Sequence, residues 1–228
     1  MKDGKLFAMF LNAGPRKNWN THKMLEAARQ GAEEAGAVTE LVHLYDLDFK
    51  GCKSCFTCKV KNAKTNGLCA MRDDLRPVLE RTRQADVVVL GSPVFFNFAT
   101  GVYREFLERF AFPVGSYIYD ENGNSKKFRD KAIETASIFT MNNPKETMEE
   151  WNYPTLLGDN TKMLEIIFGA SETLYVCNTY QFADYSRYDM TLFSEEDKRA
   201  WRDAHFQADL QSARDLGVRL VERAKTHM

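Results

Sequence analysis

The chain has 228 residues, 44% of them apolar and 28% charged, with a formal net charge of −1. That length predicts a single domain, 1–228, with a sizeable core. The near-zero charge gives no general attraction to nucleic acid or membrane surfaces, and no apolar run approaches a membrane span.

The first apolar run, Leu6 to Leu11 (LFAMFL), reads as a buried strand of a parallel sheet. It breaks into the loop Asn12-Ala13-Gly14-Pro15-Arg16-Lys17-Asn18-Trp19-Asn20-Thr21. Met24, Leu25, Ala28, Ala32 and Ala35 then mark a helix capped by Asn20 or Thr21 and stopped at Gly36. A strand, a tight polar loop and a helix N-terminus together make an anion site, because free N–H groups and the helix dipole face the loop. Arg16, Lys17, Asn18, Asn20 and Thr21 add charge and side-chain donors. An ordinary capped helix is the alternative.

Val38 to Leu44 forms the second strand and continues through Tyr45-Asp46-Leu47. A stretch at 50–72 follows that holds four cysteines and six bases and no acid. Asp73 is expected to cap a helix through Leu75, Val78, Leu79 and Thr82, with Pro77 in its first turn. Val87 to Gly91 is the clearest buried strand, and Ser92-Pro93-Val94-Phe95-Phe96-Asn97 is read as the loop at its end. Thr100-Gly101 opens a helix carrying Val102, Phe106, Leu107 and Phe110. Residues 111–130 have no helical period and contain Asn122-Gly123, so they read as an inserted loop or hairpin.

Lys131 to Met141 is the fourth strand, ending in Asn142-Asn143-Pro144. A helical region at 145–169 is expected to break near Pro154, and Glu172 to Cys177 is the fifth strand. An aromatic-rich segment with Tyr180, Phe182, Tyr185, Tyr188 and Phe193 leads to a long helix capped by Ser194. Tyr180, Phe182 and Tyr185 either wall a substrate pocket or pack on a second subunit. Strands alternating with helices predict an α/β sheet covered on both faces. Right-handed crossovers bring the polar loops at 12–21, 92–97 and 140–144 to one edge, where such sheets bind ligands.

Residues 12–21 and Gly91-Ser92-Pro93-Val94-Phe95-Phe96-Asn97-Phe98-Ala99-Thr100-Gly101 resemble the two signature loops of the flavodoxin-like NAD(P)H-dependent FMN reductases. The resemblance is strongest over 6–110. It implies a flavodoxin-like doubly wound, five-stranded parallel sheet of order 2-1-3-4-5 with a bound FMN. The phosphate would sit at Arg16, Asn18, Asn20 and Thr21. The isoalloxazine would lie against Pro93, Val94, Phe95, Phe96 and Asn97, with Thr140 and Asn142 nearby. The serine these proteins often use on the phosphate falls at Gly14 here, where a glycine lets the phosphate approach the backbone.

Cys52-x2-Cys55-x2-Cys58-x10-Cys69 is the second unusual feature. Without a targeting segment the expected location is the cytoplasm, so these are metal ligands or redox thiols before they are disulfides. The C-x2-C-x2-C run suits an iron–sulfur ligand loop, and iron–sulfur flavoproteins resemble this chain, with a shorter last gap. A 4Fe–4S cluster at the four cysteines, zinc on the same thiolates, and metal-free thiols all stay open. Cys177, on a buried strand, is a packing residue. His22 is expected to be solvated and His43 structural, and no histidine–carboxylate pair suggests hydrolysis.

The reading that follows is an FMN oxidoreductase. It takes hydride from NAD(P)H and reduces a small acceptor such as a quinone or flavin, with the chemistry borne by the flavin. The alternatives are an iron–sulfur flavoprotein electron carrier served by ferredoxin, or a thiol redox sensor that binds flavin. A homodimer is expected, because a second copy can cover a flavin at an open sheet edge.

Overall fold

The computed structural model describes residues 5–62, 64–123, 125, 127–128 and 131–227. Its centre is a sheet built from β1 (Phe7–Asn12), β2 (Val38–His43), β3 (Val87–Phe95), β4 (Phe98–Ala99), β5 (Ile133–Thr140) and β6 (Gly169–Val176). The order is β2-β1-β3-β5-β6, all parallel, with β4 antiparallel to β3. The five parallel strands therefore lie in the expected 2-1-3-4-5 arrangement, and the two-residue β4 is the addition.

Period-two alternation separates two cores. Met9, Leu11, Val88 and Leu90 face one side, under α2 (Leu75–Thr82), α3 (Gly101–Ala111), α4 (Lys145–Glu150) and α5 (Tyr153–Phe168). Ala8, Phe10, Val87 and Val89 face the other, under α1 (Asn20–Glu34) and α6 (Glu195–Lys225). Helices α1 and α6 cross at Gly31 and Gly217. A Cβ at either would fall far under 3.0 Å from the other helix's backbone, at Arg214 and Ala28 respectively.

Several boundaries differ from expectation. Residues 92–95 belong to β3, which pairs Val94 with Ala99 and Phe95 with Phe98. The tip residues Phe96 and Asn97 have φ of 48° and 70°, the left-handed pair that a tight hairpin turn requires. Strand β2 stops at His43, and Leu44–Asp46 is a single 3-10 turn. The helical break falls at Trp151 and Asn152 (φ 55°), which leaves Pro154 in the first turn of α5, where a missing N–H costs nothing. Of 111–130, the described part holds one antiparallel bridge, Tyr119 to Ser125, around Asn122-Gly123. Residues 124, 126, 129 and 130 lie outside the described residues.

Two expected caps are used elsewhere. Trp19 stands at the N-cap of α1 without a side-chain capping bond, while Asn20 and Thr21 are helical and bond across the sheet edge. The expected cap of α2, Asp73, is held by Arg109, and Asp74, which stands at the N-cap, accepts instead from the Asp48 N–H at 2.9 Å. Ser194 does cap α6, accepting from the Asp197 N–H at 3.2 Å. No helix among the described residues is long and apolar enough to cross a membrane.

Candidate functional site

The carboxyl ends of β1, β3 and β5 open on a cleft of about 120 Å³. Of the sequence-predicted residues, Arg16, Asn20, Thr21, Pro93, Val94, Phe95, Thr140 and Asn142 line it. Three do not. Asn18, at φ 60°, turns towards a polar groove between α1 and α6. Phe96 is 97% exposed at the hairpin tip. Asn97 is turned away and accepts a hydrogen bond from the Tyr153 hydroxyl at 2.6 Å. Gly14, Pro15, Trp19 and Met141 also line it, as do Tyr180, expected as a pocket wall, and its neighbours Thr179 and Gln181. Their signal in the sequence was position, since residues after β6 must emerge at the same edge.

The donors of the first loop converge on the far wall. The Arg16 guanidinium donates to the Gln181 carbonyl at 2.5 Å, and the Asn20 amide donates to the Tyr180 carbonyl at 2.7 Å. The Trp19 indole N–H reaches the same Tyr180 carbonyl at 3.2 Å. These bonds draw the 180–181 segment across the cleft and narrow it. Thr21 and Thr140 hydroxyls meet at 2.7 Å, joining the loops after β1 and β5. Gly14 N–H donates to Asn12 Oδ1 at 2.8 Å, and a Cβ at Gly14 would crowd that oxygen at 3.0 Å. One polar atom is left over: Asn142 donates to Gln181 Oε1 at 2.8 Å, but its own Oδ1 is buried without a partner. A buried orphan acceptor is costly unless a donor arrives. An N–H on the edge of a planar heterocycle, as flavin has, would satisfy it.

His22 and His43 stack at 5.1 Å behind the first loop. Burial, then the neighbouring His22, lowers the His43 pKa, and its Nδ1 meets the Asn12 amide at 3.0 Å. Both rings brace the loop, so His22 is packed where a solvated position was expected. Behind Asn142, the buried Lys198 of α6 donates to the Asn142 carbonyl. A lysine in an acidic first helical turn gives no sequence signal of burial.

The cysteine stretch lies over α3, held by polar anchors, with a single 3-10 turn at Thr57–Lys59 as its regular structure. Arg109, fully buried, forks onto Asp73 at 2.5 and 2.8 Å and donates to the carbonyls of Lys50 (3.1 Å) and Met71 (3.5 Å). It thereby clamps both ends of the loop. Burial opposes the charge, but hydrogen bonds donated to Asp73 and Cys69 raise the guanidinium pKa above its ordinary value. Lys59 pins the middle to the carbonyls of Phe112 and Gly115, and Cys52 N–H donates to Glu108 at 3.1 Å. Cys58 is pushed up by burial, with Cys69 and Cys52 adding to the effect. Cys55 is exposed, and the Thr57 hydroxyl lowers its pKa. Among the described residues no group of three or more His, Cys, Asp or Glu is arranged to hold a metal ion. Cys177 packs as expected, its thiol pushed up to about 11 by burial.

A family model described as NADPH-dependent FMN reductase matches residues 8–149. The chain belongs to that family. An iron–sulfur flavoprotein of Archaeoglobus fulgidus is 33% identical over 99 residues, covering 43% of this chain and 46% of that protein. The iron–sulfur flavoprotein of Methanosarcina thermophila is 29% identical over 87 residues, 38% of this chain and 43% of that protein. The match thus spans less than half the length of these relatives. Among solved structures, an NAD(P)H:quinone oxidoreductase from Methanothermobacter marburgensis aligns with a TM-score of 0.63 at 16% identity, over 94% of this chain and 98% of that one. An azoreductase from Bacillus anthracis aligns at 0.65 and 15% identity, over 94% and 99%. At such identities these likenesses concern the fold.

Proposed function

We propose that this FMN reductase family member is an oxidoreductase that holds FMN in the strand-end cleft. It would take hydride from NAD(P)H and reduce a small acceptor such as a quinone or free flavin. The observation that carries the reading is the orphaned Asn142 Oδ1, buried in a cleft that Arg16, Asn20 and Thr21 also line. Bound FMN supplies the hydride chemistry, so the chain's task is placement and electrostatics. Arg16 and Asn20 would exchange the Tyr180 and Gln181 carbonyls for phosphate oxygens, since charge-assisted bonds to an anion outcompete neutral ones. That exchange frees the 180–181 segment and widens a cleft smaller than the ~300 Å³ or more of ordinary ligand sites. Pro93, Val94 and Phe95 offer the apolar wall, and Trp19 shields the polar end from water. The exposed Phe95, Phe96, Phe98 and Trp151 offer a second copy of the chain a surface to cover.

The test is the absorption spectrum of anaerobically purified protein, read before and after NADPH, with iron and acid-labile sulfide assayed on the same sample. Two flavin bands that bleach with NADPH are expected; protein that neither carries FMN nor takes it up would overturn the reading. The phosphate end has its own test. Replacing Asn20 by Leu and Thr21 by Val together should weaken FMN binding roughly hundredfold, the worth of two bonds to a charged group. Fluorescence titration measures it, and unchanged affinity would place the phosphate elsewhere.

An electron carrier is the second reading, favoured by four cysteines in one loop clamped at both ends by Arg109. Iron and sulfide in equal amounts, with fast reduction by ferredoxin and slow reduction by NADPH, would favour it. Reversible disulfide formation that alters FMN affinity without turnover would favour a thiol sensor instead.

A further inference from the structure

Lys198 has no part in these readings, yet it sits directly behind the cleft. It is 2% exposed, in the first turn of α6. Its ammonium donates to the Asn142 carbonyl and, at 2.5 Å, to Asn178 Oδ1, with the Phe193 ring 4.5 Å away. Asn142 and Thr179 line the cleft, so one amine joins the loop after β5 to the segment after β6. Asn178 is itself left-handed, at φ 55°, and its N–H donates to the Asn143 carbonyl at 2.7 Å.

The partners of this cation are dipoles. Asn142, Asn178 and Phe193 are neutral, and the Cys177 thiol next to Asn178 is neutral through the physiological range. On α6, Glu195 is paired with Arg199, Arg202 lies over the Tyr180 and Phe206 rings, and Asp209 acts on the Cys177 thiol together with Lys145, Glu146 and Glu149 of α4. Among the described residues no carboxylate lies within ion-pair distance of Lys198. Burial alone pulls its pKa from 10.5 down to about 8. A buried charge balanced only by dipoles is stabilised by any anion that enters the adjoining low-dielectric space.

We propose that Lys198 is a positioning residue of the cleft, locking the Asn142 and Asn178 loops together and supplying the fixed positive charge that favours an anionic flavin ligand. The inference rests on the FMN reading and adds to it a residue outside the family's signature loops. Linkage gives it a signature. A bound anion keeps the proton on Lys198, so affinity falls as pH rises through the free-state pKa. Stability of the ligand-free fold moves the other way. The unfolded lysine holds its proton to 10.5, so the fold gains stability between about 8 and 10.5. A merely structural lysine would change stability without moving affinity.

The experiment titrates apoprotein with FMN and with riboflavin by flavin fluorescence, for wild type, Lys198→Met and Lys198→Arg, with thermal unfolding of the same samples. Wild-type Kd for FMN should rise up to about tenfold between about pH 7 and about pH 9. Lys198→Met should be weaker by about the same factor at the lower pH and flat above it. Lys198→Arg, charged throughout, should bind tightly and show no pH step. A response confined to FMN locates the effect at the phosphate, and one shared by riboflavin locates it at the ring edge. Matching affinities and flat profiles in wild type and Lys198→Met would overturn the proposal while leaving FMN binding intact. Should Lys198→Met fail to fold, the wild-type profile decides, and a flat one overturns it. No FMN uptake by wild type at any pH would remove the FMN reading, and this inference with it.

Discussion

Asp73→Ala should destabilise the protein by about 3–5 kcal/mol, the usual cost of leaving one member of a buried ion pair alone. Arg109 is the member left behind. It is 1% exposed, and its Nε is already without a partner, so the guanidinium would retain only uncharged partners, the Lys50 and Met71 carbonyls and the Cys69 thiol. For a chain of this size the melting temperature should fall by about 10 °C. The loop should also loosen, because Asp73 and the two carbonyls are gathered on one side chain. Trypsin should then cut at Lys53, Lys61 or Lys64 in the variant well before it cuts wild type. Adding Arg109→Met to Asp73→Ala should restore most of the stability, since an apolar pair of similar volume often equals a buried ion pair. Thermal unfolding of the two single variants and the double variant checks this. An additive double variant would mean that the pair is not the clamp.

Gly217→Val should be at least as damaging, about 3 kcal/mol or more, beyond the ordinary range for overpacking. The Cβ would meet the backbone carbonyl of Ala28, and backbone in a helix cannot turn aside as a side-chain tip can. Helices α1 and α6 would have to separate along their whole crossing, where Ala28, Ala32, Ala213 and Leu216 are packed. Because α1 begins at Asn20, the shift would also displace the donors of the first loop, and flavin content should fall with stability. Gly158→Ala is the matched control. Its Cβ would meet nothing within 4 Å inside α5, so helix propensity alone should raise stability by up to about 1 kcal/mol. Denaturant unfolding of both variants decides whether close approach, and not glycine's flexibility, is what position 217 supplies. Equal small effects would refute the crossing argument.

Much of the fold was legible because a buried parallel strand has no polar face to disguise it. LFAMFL and VVVL announce themselves, and Gly, Pro and Asn mark where each run meets the ligand edge. The glycine pair was also within reach: Ala28, Gly31 and Ala32 on α1 and Ala213 and Gly217 on α6 form two small-residue stripes at helical spacing. What escaped was side-chain choice between competing partners. Asn20, Thr21 and Asp73 all have good cap chemistry. Each instead bonds to a group far off in the chain, at Tyr180, Thr140 and Arg109. Phe96 in a left-handed turn has no propensity signal, so the β3–β4 hairpin read as a loop.

Local chemistry thus determined that there is a parallel sheet, that three polar loops end its strands on one edge, and that four cysteines share one loop. Those follow from hydrophobic period and chain connectivity, which act over a few residues or through a fixed handedness. Tertiary structure alone decided which donors face the cleft, why Asn18, Phe96 and Asn97 do not, and that Asn142 keeps an unanswered acceptor there. It also decided that Lys198 is buried behind that acceptor. Such outcomes depend on pairs separated by up to 165 positions, as between Arg16 and Gln181. In them, a group's state is set by desolvation and by whichever partner the fold delivers, not by its neighbours in sequence.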